Sequence, residues 1–213
     1  MIDNGAVTTP KESPAPRLAP LVPDQLDQIR RDLFDTIVGG RRSSQPYSRL
    51  IDDAGALTGP FNAFIHAPSV GVPLSRLGEA IRYDTALTPR EREIAILVVA
   101  AERCSAFEWY AHQQIASAVG FTASEIESLR QARSVKFADD REDAVRELTL
   151  CIVDRQGLPD EQYGRLGAVL GSESAVEVVV LVGYYGLLAD LLSVFAVGAP
   201  EGPDPFTSNS GQS

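Results

Sequence analysis

Residues 88–102 read Thr-Pro-Arg-Glu-Arg-Glu-Ile-Ala-Ile-Leu-Val-Val-Ala-Ala-Glu. Thr88 is a good N-cap, Pro89 suits the first helical position, and Glu91 stands where a capping box needs its carboxylate. The stretch therefore predicts a helix from Pro89 to about Glu102, apolar over most of its length. Outward from it the same devices recur. Thr122 with Glu125 signs a second start, just after Gly120 has closed the helix before it. Asp139 with Glu142 signs a third, which carries Val145, Leu148, Ile152 and Val153 to a stop at Gly157. Upstream, Leu26, Ile29, Leu33 and Ile37 space a helix that Gly39-Gly40 ends, and Pro68 opens another reaching about Asp84. Downstream, Pro159 opens a short helix ended by Gly171, and Ser174 with Glu177 begins a long apolar one. No convincing period-two strand appears, so the expected fold is all-α with seven to nine helices.

Composition narrows the function classes. The chain has 213 residues, 44% hydrophobic and 23% charged, which describes an ordinary globular protein. Its formal net charge is −10, and its only compact basic patches are Arg30-Arg31 and Arg41-Arg42. Phosphate binding needs more clustered cations than that, so no nucleic-acid partner is expected. Two cysteines, Cys104 and Cys151, form no CxxC pair, which argues against structural zinc or a disulfide framework. The N-terminus has no apolar core of signal-peptide length, and a cytoplasmic location is expected. The stretch 175–199 is interrupted by Glu177 and Asp190, which argues for a buried core helix and no membrane partner. Residues 1–20 hold four prolines and residues 200–213 are rich in Gly, Pro, Ser and Asn, so both read as tails around a single helical domain at 21–199.

Chemistry concentrates in 105–119. Ser105, Glu108, His112, Ile115, Ala116 and Val119 step by three or four and share one helical face, so a carboxylate and an imidazole lie among residues expected to be buried. Two readings stand side by side: an i,i+4 contact that stabilises the helix by a few tenths of a kcal/mol, or a pair retained for proton transfer. Glu93 is either a surface partner of Arg90 or Arg92, or a second inward carboxylate. In the latter case two carboxylates and one of only two histidines meet in one pocket, which suits acid–base work near neutral pH.

The run from Thr88 through Glu93 to Leu97, followed by Phe107-Glu108-Trp109-x-x-His112 and Gly120, resembles the carboxymuconolactone decarboxylase family, which includes the alkylhydroperoxidase D-like proteins. The likeness is best over 57–133 and extends loosely to Glu177 and Gly183-Tyr184-Tyr185. It implies a compact helical bundle of alkylhydroperoxidase D-like type, obligate oligomers, and decarboxylation without metal or organic cofactor. In the peroxide-reducing branch two cysteines precede the motif histidine by seven and four residues; here Ser105 and Glu108 hold those positions. The resemblance thus implies the decarboxylase-type branch, with Glu93, Glu108 and His112 as catalytic residues.

On this basis the expected function is a cofactor-independent lyase or isomerase. His112, oriented by Glu108, would move a proton on a small lactone or unsaturated carboxylic acid, while Glu93 would hold the proton relay or repel the departing carboxylate. Arg76, Arg82 or Arg103 would line the entrance for an anionic substrate. Ser105, Trp109 and His66 are candidate substrate contacts, although Trp109 also suits core or subunit interface and His66 a packed position before Pro68. Tyr184 and Tyr185 either offer hydroxyls to a pocket or pack in the long helix. Cys104 reads as a small buried residue. The alternatives are a peroxide-reducing or other redox protein using Cys104, with or without Cys151, and a non-catalytic helical oligomer. The long apolar stretch from Val178 to Phe195 predicts a homo-oligomer, whether dimer, trimer or hexamer.

Overall fold

Eight α-helices and no strand longer than the isolated bridge Ile51–Leu57 make up the described residues of the computed structural model, 15–44, 50–131, 136–155, 157–202 and 204–206. The helices are α1 (Gln28–Gly39), α2 (Pro60–His66), α3 (Pro68–Tyr83), α4 (Pro89–Glu102), α5 (Ala106–Ala118), α6 (Ala123–Gln131), α7 (Asp140–Asp154) and α8 (Asp160–Val194). The all-α expectation is met.

Helix α4 is the axis of the bundle. Its capping box is complete: the Glu91 amide donates to Thr88 Oγ1 at 3.2 Å, and the Thr88 amide donates to Glu91 Oε2 at 2.9 Å. From Glu93 to Ala100 every residue is buried, because α5, α6, α7 and α8 pack around it. A helix buried on all sides gains on the order of 1.5–3 kcal/mol per large apolar side chain. The second box forms as well, with the Thr122 amide 2.7 Å from Glu125 Oε2. At the third start Asp139 Oδ1 accepts from the amides of Arg141 and Glu142. Arg90 leaves Glu93 alone and pairs with Glu125 and Glu142 instead, tying the starts of α4, α6 and α7 together.

One expected boundary differs. Helix α7 stops at Asp154 rather than at Gly157, because Arg155 itself takes the left-handed conformation (φ 55°) that closes the helix. The break expected at Gly171 is present: its non-helical conformation (φ 75°, ψ 165°) divides the run Asp160–Val194 into two helical arms across a kink. The Arg141 guanidinium bridges that break: Nη1 donates to the carbonyls of Val169 and Leu170, Nη2 reaches Ser174 Oγ at 3.3 Å, and Nε reaches Glu91 Oε1 at 2.9 Å.

Helix α8 has the length and hydropathy of a spanning segment, and half of its most apolar window is buried against the bundle. The two carboxylates of its apolar stretch from Ala175 onward, Glu177 and Asp190, are spoken for: Glu177 accepts from the Ala86 amide, and Asp190 pairs with Arg103. The Tyr184 side chain of α8 reaches α3 at Gly78, where a Cβ would lie 2.2 Å from Tyr184 Oη. That closeness brings the Tyr184–Tyr185 pair over the end of α3.

The segments assigned to tails make contacts where they are described. The Arg17 amide donates to the Phe195 carbonyl, and Phe206 meets the Trp109 ring edge-to-face at 5.6 Å. Residues 1–14 and 207–213 lie outside the described residues.

Candidate active site

Glu93, Glu108 and His112 come together. Glu93 projects from α4 and Glu108 and His112 from consecutive turns of α5, and the three are only 3%, 4% and 4% exposed. His112 Nδ1 lies 2.7 Å from Glu93 Oε2. A carboxylate has no proton to give, so Nδ1 donates, and whenever the ring is neutral the lone pair is on Nε2. Nε2 faces Glu108 Oε2 at 3.5 Å and Arg82 Nη1 at 3.5 Å. Those distances are too long for strong hydrogen bonds and leave the basic nitrogen available.

The surroundings set the protonation states. Burial pushes the Glu108 carboxyl up, the nearby Glu93 charge adds to this, and His112 and Arg82 oppose it. Glu108 therefore retains its proton at a pH where an ordinary glutamate has lost it. Burial also works against the Arg82 charge, but Tyr185, Glu93 and Tyr83 outweigh it and hold the guanidinium firmly protonated. The Tyr185 phenol is pushed up to about 12, chiefly by burial. It accepts from Arg82 Nη1 at 3.1 Å, and its ring stands edge-on to His112 at 5.1 Å. The cluster thus contains one oriented imidazole, one carboxyl that burial biases toward its protonated form and one fixed cation.

A cavity of about 160 Å³ opens onto this cluster. Glu108, His112, Arg82 and Tyr185 line it; Glu93 lies behind His112 and does not. Phe61, Phe107, Ile115 and Leu188 form apolar walls, and Arg42, Tyr83 and Tyr184 add polar ones. Arg82 Nε and the Tyr83 hydroxyl are buried without a hydrogen-bond partner among the described residues, so the cavity offers donors to an acceptor ligand.

The other candidates lie elsewhere. Ser105 is the buried residue preceding α5, its hydroxyl unpartnered among the described residues, and it does not line the cavity. Trp109 turns to the opposite side of α5 and packs on Phe206. His66 donates from Nε2 to the Ala19 carbonyl at 2.9 Å. Cys104, expected to be buried, is exposed in the α4–α5 turn with φ 48°, because the tight turn directs its side chain outward. Of the arginines considered for the entrance, Arg82 lines the cavity and Arg76 and Arg103 do not. Arg42 and Tyr83 were missed. Both lie where α3 and the segment after α1 converge, and no periodicity spans that distance.

Residues 69–149 match the carboxymuconolactone decarboxylase family. That segment contains Arg82, Glu93, Glu108 and His112, whereas Tyr184 and Tyr185 come from outside it. The fold is the alkylhydroperoxidase D-like one. An uncharacterised peroxidase-related protein with the AhpD core from Ralstonia eutropha JMP134 matches with a TM-score of 0.69 at 15% identity, covering 88% of this chain and 94% of that one. The debrominase Bmp8, solved as a cysteine variant with 2,3,4-tribromopyrrole, matches with a TM-score of 0.63 at 13% identity, covering 91% and 96%. A protein of unknown function from Agrobacterium tumefaciens matches with a TM-score of 0.60 at 17% identity, covering 68% and 100%. No curated protein matches the sequence.

Among the described residues no group of three or more His, Cys, Asp or Glu side chains is arranged to hold a metal ion.

Proposed function

We propose that the protein is an acid–base enzyme that works without a cofactor, a lyase or isomerase acting on a small lactone or unsaturated carboxylic acid. The observation that carries this reading is the His112 imidazole, held at Nδ1 by buried Glu93 and presenting Nε2 to the cavity beside Glu108. Nε2 takes a proton from a carbon acidified by a conjugated carbonyl, or returns one to the carbon that decarboxylation leaves electron-rich. Glu108, whose burial favours its protonated form, supplies the complementary proton, and Arg82 with Tyr185 stabilises negative charge on the carbonyl oxygen. Glu93 positions the ring and stabilises the imidazolium formed in passing. The metal-free chemistry needs no thiol in the cavity, in keeping with Ser105 and Glu108 standing where the peroxide-reducing branch has cysteines. A debrominase of this fold holds a small planar heteroaromatic, and a ligand of that size suits the cavity here.

The test is proton exchange in D2O, followed by NMR on a panel of small lactones and β,γ-unsaturated carboxylic acids. Exchange or carbon dioxide release on one class, lost in His112→Ala, is the expected result. A panel on which wild type and His112→Ala are indistinguishable overturns the reading.

One observation favours a second reading: the Cys104 thiol is exposed and open to oxidants. Thiol-dependent peroxide consumption that disappears in Cys104→Ser would move the chemistry from the cavity to that turn.

A further inference from the structure

The outer wall of the cavity comes from the C-terminal end of the chain. Helix α8 ends at Val194, and Ala196, at φ 54°, reverses the chain, with the Val197 amide donating to the Leu192 carbonyl at 2.8 Å. A left-handed alanine costs energy that neighbouring contacts must offset. Arg17 supplies some of them, donating through Nη1 to the Val194 carbonyl at 2.7 Å and through its amide to Phe195. The reversal carries Pro200 and Glu201 to the cavity that Glu108 and His112 line. Beyond them the chain is fastened on the far side of α5. Arg130 Nη1 donates to the Pro205 carbonyl at 2.9 Å, and Phe206 lies edge-to-face on Trp109 with the ring planes at 81°.

Glu108, Trp109 and His112 are within one turn of α5, so the chain crosses that turn from the catalytic face to the opposite one. We propose that residues 198–202, moored by Phe206 on Trp109, form a strap that walls the catalytic cavity and controls access to His112. Trp109 then serves the site as the anchor of its cover rather than as a substrate contact. The cover accounts for a histidine only 4% exposed beside a cavity that must admit a ligand. The importance of this access for turnover rests on the proposed acid–base function; the access itself does not.

Diethyl pyrocarbonate probes it directly, because the reagent acylates the Nε2 lone pair that Glu93 leaves free. The chain has two histidines, and half-buried His66, on α2 and outside the cavity, is an internal reference. Acylation of each is followed by peptide mass spectrometry in the full chain, in Phe206→Ala and in a chain ending at Ala199. The expected result is slow reaction of His112 in the full chain, a rise of about tenfold or more on truncation and a smaller rise in Phe206→Ala, with the His66 rate unchanged. A truncated chain that keeps its melting profile and its slow His112 overturns the strap. Should truncation prevent folding, Phe206→Ala decides, and a His112 rate within twofold of the full chain overturns it. A failure here leaves the His112→Ala exchange test untouched.

Discussion

The Glu93–His112 bond divides labour between two carboxylates of the same chemical type. Glu93 lies behind the ring and acts through it; Glu108 meets the cavity. Replacing Glu93 with Gln leaves a donor or acceptor of similar shape but removes the charge that stabilises the imidazolium. Turnover in Glu93→Gln is expected to fall about 10²-fold, with KM changed little, since Glu93 touches no ligand. The Glu108 carboxyl carries a stability signature as well. Burial raises its folded value above the ordinary 4.5, so the folded protein holds this proton more tightly than the unfolded chain. The associated stability is complete below about pH 4.5 and is lost as the pH rises through the elevated folded value. Glu108→Gln mimics the protonated form at every pH. Its thermal midpoint is expected to match wild type near pH 4 and to exceed it at pH 8, while activity is lost. Equal midpoints at pH 8 would show that Glu108 is not held protonated by its surroundings.

At the scale of elements, α8 is the most heavily adapted. Its break at Gly171 strands two carbonyls, and Arg141 on α7 satisfies them while neutralising Glu91, which is 2% exposed. One side chain thus fastens three helices, α4, α7 and α8. Arg141→Ala leaves a buried carboxylate and the freed carbonyls to fend for themselves. A loss of about 2 kcal/mol in urea unfolding is expected, discounted for the partial exposure of Arg141. Glu91→Gln in the same background should recover part of it, which a double-mutant cycle measures. At Gly78 the expected effect falls on the site: the Cβ of Gly78→Ala would displace Tyr184 and Arg42, altering the cavity while the bundle still folds.

At the scale of the whole molecule, α8 retains an apolar face that the described residues do not cover. Val176, Val179 and Val194 are 62%, 49% and 56% exposed and Leu187 is 39% exposed, on a helix whose other side is core. Such a face is expected to be covered by further copies of the chain. Light scattering at micromolar concentration should report a homo-oligomer, and Val179→Glu should lower its mass. A single wild-type species near 22.9 kDa would refute the expectation.

Local signals in the sequence were enough for the helices, because a capping box or a turn is made by residues three or four apart. Thr88 with Glu91, Thr122 with Glu125, and Asp139 all cap where the residue types demanded, and the period of 3.6 put Glu108 and His112 on one buried face. The sequence also determined which chemistry is available, since only two histidines exist and no cysteine stands in the α5 motif. Tertiary packing decided the rest. That Glu93 turns inward to His112 rather than outward to Arg90 depends on α6 and α7 offering Arg90 two better carboxylates, Glu125 and Glu142. That Arg82, Tyr83 and Tyr185 share one cavity with His112 depends on the close approach of α3 and α8, and that Trp109 faces Phe206 depends on the reversal at Ala196. Contacts between residues a hundred positions apart leave no period in the chain, because what selects them is the shape complementarity of whole helices and not the spacing of neighbours.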